Sequence, residues 1–154
     1  MKMMLLVLAM IASVAVAANA DSGSFAVETY SGYFVSNKFE PDAAASFVVI
    51  NNQARFDEVF GTAYVMHDKS HRLAADTFKS KIVAAVIHRG NATWEFKVDG
   101  ATVKDGVAQL RYTASATNRD TASFACPLIV SLPAGDYHAV QFVENGKPVK
   151  KVPK

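Results

Sequence analysis

The stretch that decides the fold is KIVAAVIHRGNATWEFKVDG, Lys81 to Gly100. Its first part, Lys81 to His88, is an uninterrupted apolar run, the pattern of a strand covered on both faces and therefore central in a sheet. Its last part alternates: Ala92, Trp94, Phe96 and Val98 are interleaved with Thr93, Glu95, Lys97 and Asp99, so one face packs and the other meets water. The polar residues Arg89, Gly90 and Asn91 between the two parts, with Thr93 just beyond, are predicted to form a loop joining two separate strands.

Downstream, Asp99-Gly100 and Asp105-Gly106 are both turn dipeptides, and Val107 to Ala114 alternates again, which predicts a meander of adjacent antiparallel strands. SATNRDTA then reads as a polar connection, and SFACPLIVSLP as a strand whose Pro127 requires an edge or a bulge. YHAVQFVE is another strand, with Asn145-Gly146 turning the chain towards PVKKV. Upstream, Ser24 to Ser36 reads as one or two strands broken near Gly32, and Ser46 to Asn52 as a short strand. One helix is predicted in NQARFDEVFG, where Phe56, Val59 and Phe60 share a face, an asparagine caps the start and Gly61 ends it. Thr62 to Phe78 has no period and reads as a long connection. The sum is a mainly β protein, an antiparallel β-sandwich or open barrel of seven to eight strands with one short helix.

The ends set the compartment. Residues 1–20 carry Lys2, an apolar run and the small-residue triplet Ala18-Asn19-Ala20, the pattern of a signal peptide cleaved after Ala20. Removing 20 of 154 residues leaves 134, from Asp21 to Lys154, sized for a single β-rich domain. That chain is expected to be secreted or periplasmic, with no membrane span once the signal is gone. Its 15 basic residues (16 less Lys2) nearly balance 14 acidic ones, which leaves no electrostatic footprint for nucleic acid. Cys126 stands alone, so no internal disulfide forms, and its apolar surroundings predict a buried structural cysteine.

No catalytic set emerges. There is no Gly-x-Ser-x-Gly elbow and no phosphate-cradling glycine run, and the carboxylates are scattered over separate elements, so the chain is read as a non-enzyme without a cofactor. The alternative is a metal-binding protein or metal-dependent enzyme using His67 and His71, four residues apart, with Asp68, Asp76 or His88 completing the ligands. Against it, the stretch has no helical stripe, and Asp68 stands where the metalloprotease motif has glutamate. A third reading is a small-ligand carrier with a cavity lined by Tyr30, Tyr33, Phe34 and Trp94. The predicted loop offers a contact surface instead: Arg89, Gly90, Asn91, Thr93 and Trp94 combine a polar loop with residue types enriched among interface anchors.

From Phe56 to about Val143 the order of elements resembles the C-terminal domain of the PrcB-type proteins, which stabilise protease complexes. The resemblance is carried by ARFDEVF, KIVAAVIHRG, TWEFKV, the DG turn, LRY, CPLIVSLP and VQFVENGK. In that family the buried strand leads into an Arg-Pro-Thr-Gly-Gly-Tyr loop. Arg89 matches the arginine, and Gly90 to Trp94 depart from the remainder. The resemblance implies an exported domain that binds or stabilises another exported protein, a secreted protease, and brings no catalytic residue.

Overall fold

The computed structural model describes residues 23–154 apart from Val65. The predicted signal peptide lies outside the described residues. The strands are β1 (Ser24–Phe25), β2 (Glu28–Tyr30), β3 (Tyr33–Val35), β4 (Ala45–Ile50), β5 (Phe60–Thr62), β6 (Lys81–Lys104), β7 (Val107–Pro133), β8 (Ala139–Glu144) and β9 (Lys147–Pro153), with one α-helix, α1 (Gln53–Val59). Seven strands form one sheet, and β3 and β5 pair as a separate ribbon. No described helix is long and apolar enough to cross a membrane.

The sheet is built on β6 and β7, which pair antiparallel from Lys81↔Pro133 to Lys104↔Val107. Asp105 and Gly106 form the tip, both at positive φ (52° and 70°), as a two-residue hairpin turn demands. Three sequence expectations are corrected by this pairing. Arg89 to Asn91 is not a loop between strands, and SATNRDTA is not a connection; both lie inside single long strands, where the register shifts between Gly90 and Ala92 and again between Ala92 and Thr93. Asp99-Gly100 is not a turn either but a third shift, with Gly100 at φ 143°.

These irregularities let the hairpin fold over. A straight strand of 24 residues would separate base from tip by about 80 Å. Yet the backbone N–H of His138 bonds the Gly106 carbonyl at the tip, 2.9 Å away, and only the segment from Pro133 joins His138 to the base, a reach of about 18 Å. The two ends of the hairpin must therefore meet. That curl also explains why β8 runs parallel to the start of β7, against the all-antiparallel expectation: the chain leaves the base and re-enters beside the tip. β1 pairs the tip half of β6 and β2 the base half of β7, so this bent N-terminal segment bridges the two halves. At Pro127 no described strand flanks β7 opposite β6, since β2 reaches only Ile129, which satisfies the edge requirement.

Two cores result, one on each face of the base. Ile82, Ala84 and Val86 point into the curl with Leu110, Tyr112, Val130, Val140 and Phe142, while Val83, Ala85 and Ile87 point outward beneath α1, against Ile50, Phe56, Val59 and Phe60. The unbroken apolar run thus faces apolar matter on both sides, as its composition demands. α1 starts where expected: the Asn52 side chain accepts the Arg55 N–H at 2.9 Å, and Phe56 and Val59 are buried. Phe60, assigned to the helix from its spacing, instead caps α1 and opens β5.

Candidate functional site

The predicted contact residues sit at the bend of β6, where Asn91 is exposed and Arg89, Gly90, Thr93 and Trp94 are half-buried. Arg89 is spent internally. Its Nη1 donates to Ser46 Oγ (2.6 Å) and the Ala43 carbonyl (3.2 Å), and its Nη2 donates to the Phe39 carbonyl (2.8 Å). Burial lowers its pKa, with Glu40 pulling the other way. The guanidinium ties the 39–46 segment to the sheet. Arg89→Ala is therefore expected to cost about 2 kcal/mol of stability, the range for lost hydrogen bonds to a charged group, measured by denaturant unfolding. A free interface anchor would leave the midpoint unchanged.

Gly90 adopts φ 137°, which an L side chain rarely takes. Asn91 is exposed, and Thr93 Oγ1 shares a hydrogen bond of 2.8 Å with Thr117 Oγ1 across the hairpin. Trp94 turns inward and stacks on His88, centroids 4.3 Å apart at 20°, with Phe96 on the same imidazole at 5.6 Å. His88 Nε2 lies 2.7 Å from Glu144 Oε2, which also accepts the Tyr112 hydroxyl at 2.9 Å. Burial, reinforced by the Glu144 carboxylate, raises the Tyr112 pKa far above its ordinary value and keeps the phenol protonated. This histidine–glutamate–tyrosine cluster ties β6 and β7 to the end of β8. Its one sequence signal was a polar residue closing the buried run at His88; nothing local pairs it with a glutamate 56 positions away.

Cys126 stands opposite His88 in the ladder and is half-buried, which corrects the expectation of a buried thiol. It makes no hydrogen bond to the imidazole among the described contacts, so the geometry assembles no thiol–imidazole pair.

His67 and His71 are both exposed. His67 adopts φ 58°, and His71 stacks flat on Tyr30, centroids 5.0 Å apart. Asp68 is engaged by Ser70 and by the Arg72 guanidinium. Among the described residues no three histidine, cysteine or carboxylate groups are placed to hold a metal ion. The residues named for a carrier cavity are not gathered either. Tyr30 bonds Ser131, Tyr33 packs edge-on against Phe56, Phe34 lies on the surface and Trp94 covers His88, so the four do not line a shared cavity.

A different surface has the character of a contact site. Phe34 (51% exposed), Tyr64 (83%) and Met66 (90%) lie on the β3–β5 ribbon and the segment that leaves it. Phe34 lies across Gly61, its register partner, where a Cβ would come within 2.2 Å of the ring. Any larger residue at 61 would displace Phe34. The Arg72 guanidinium sits 5.0 Å from the Tyr64 ring centroid and donates to the Ala63 carbonyl at 2.6 Å, which braces the exposed ring. Sequence reasoning passed over Tyr64 and Met66, which fall in the aperiodic stretch Thr62 to Phe78, and placed Phe34 in a carrier cavity.

Compared with known proteins, the chain matches no family model, no curated protein and no solved structure.

Proposed function

We propose that the chain is an exported protein-binding domain that acts by contact and performs no catalysis. The observation that carries this reading is the exposure of Phe34, Tyr64 and Met66 on the β3–β5 ribbon and the segment that leaves it, beside two cores that already bury their own apolar residues. Large apolar side chains left at the surface gain by being covered, and aromatic residues and methionine are enriched where proteins meet. The partner class is a secreted protease, which rests on the PrcB-type order of elements. Arg89, the residue shared with that family, serves here as a clamp for the segment behind the bend.

The test uses the immobilised chain beside a Tyr64→Ser, Met66→Ser variant, both exposed to the secreted fraction of the producing cell. Retained proteins are identified by mass spectrometry and by active-site probes for proteases. The variant is expected to retain at least about tenfold less of the specific partner, equivalent to about 1.4 kcal/mol, at an unchanged melting temperature. Equal retention by both chains would remove the ribbon from the reading, and a captured set without a probe-reactive protease would remove the partner class.

A further inference from the structure

β6 has an open edge. Arg89 N–H is the last group tied to the β4 side, through the Ala44 carbonyl, and pairing resumes only where Phe25 of β1 meets Ala101. Between them, among the described residues, no strand covers that side of β6. The direction of its main-chain groups follows from the opposite strand. Ala114 exchanges two hydrogen bonds with the Asn145 side chain (2.9 and 3.0 Å), and the Tyr112 carbonyl accepts the Asn145 N–H, so both residues direct their groups away from β6. Their register partners are Phe96 and Val98. In an antiparallel ladder a residue whose partner points away also points away. The N–H and C=O of Phe96 and Val98, and by alternation of Trp94, are therefore aimed off the open edge.

We propose that this edge pairs with the same edge of a second copy of the chain, antiparallel about a two-fold axis through Phe96. The proposal concerns a surface separate from the ribbon and goes beyond the contact function. The charge pattern selects the register. Centred on Phe96, Glu95 of each copy stands opposite Lys97 of the other, and Trp94 opposite Val98. Trp94, Phe96 and Val98 then become the hydrogen-bonded pairs that their main-chain directions require, and Glu95 with Lys97 the closer, non-bonded pairs. Centring on Glu95 or on Lys97 sets like charges face to face, and centring on Val98 runs into the Gly100 bulge and β1. Exposed edges are ordinarily guarded by charge, lysine above all. Here Glu95, Lys97 and Asp99 alternate in sign, which guards against other edges while complementing this one. A self-complementary patch of this kind closes as a dimer and does not propagate.

The test is a charge exchange read by analytical ultracentrifugation over a sub-millimolar concentration series. The unmodified chain is expected to dimerise. Lys97→Glu alone and Glu95→Lys alone are each expected to weaken association at least tenfold, because each places like charges opposite one another in the pair. The double exchange, E95K with K97E, should restore it, and an equimolar mixture of the two single variants should form the mixed dimer. Both side chains are exposed, so the monomer fold is not at stake. A chain that stays monomeric throughout the series, single variants that associate like the unmodified chain, or a mixture that fails to pair would each overturn the proposal.

Discussion

Phe142→Ala is expected to cost about 3–5 kcal/mol, the range for emptying a fully buried aromatic site, and to unfold the molecule at a midpoint well below that of the unmodified chain. Phe142 is completely buried on β8 and meets Phe47 of β4 edge-on, centroids 5.3 Å apart. That contact matters because of where the sheet stops. β4 pairs only with β6, off the strand order that ends in β8 and β9, and among the described residues no ladder joins β4 to either of these. The curl is closed there by side chains alone. Phe142 also belongs to the core shared by both halves of the hairpin, so its loss removes packing from the base and from the tip together. Phe56→Ala provides the contrast. That ring is equally buried, but it packs on Tyr33, Phe60 and Phe78 in the outer core. Hydrogen exchange should distinguish the two: in Phe56→Ala, protection fades first in β3, α1 and β5, whereas in Phe142→Ala it fades in β4 and β8 together.

The contrast also explains what could be read without coordinates. The run Ile82 to Ile87 declared a strand with apolar matter on both faces, and both cores are there. Asp105-Gly106 and Asn145-Gly146 fixed two hairpins through their own backbone preferences, with positive φ at all four residues. Asp99-Gly100 carries the same two residue types as the first of these and bulges instead, because β6 continues past it, paired with β7 at Gly100↔Arg111 and with β1 from Ala101 onward. The polar residues Arg89 to Asn91 resembled a loop for a related reason. They occupy a bend in a strand, and bends expose polar groups as loops do. Strand continuity there depends on residues 115–126 across the hairpin, which no local pattern discloses. The parallel placement of β8 follows from the curl as a whole. At the candidate site Arg89 and Trp94 are both expected as contact residues; in the fold the arginine ties down the 39–46 segment, and the tryptophan covers a histidine.

That histidine carries the second large effect. Glu144→Ala is expected to cost about 3 kcal/mol, the scale for stranding buried donors, and to lower the melting temperature on the order of 10 °C. A single oxygen, Glu144 Oε2, receives the Tyr112 hydroxyl and faces His88 Nε2. Tyr112 is 1% exposed, so its hydroxyl has no water to turn to once the carboxylate is gone, and His88, at 9%, has little. The price of desolvation, not the strength of each bond, sets the size of the loss. Glu144→Gln tests this directly. An amide oxygen can still accept from Tyr112 or from His88, but its NH₂ cannot accept and the negative charge is lost, so the loss should be intermediate. Tyr112→Phe removes the donor together with its need and should cost only about 1 kcal/mol. Trp94, the only tryptophan, stacks on the same imidazole, so its emission reports the cluster without a label. A wavelength shift in Glu144→Gln at temperatures where the fold persists would show the imidazole released from its place. Unchanged emission with full stability would mean that the carboxylate holds nothing.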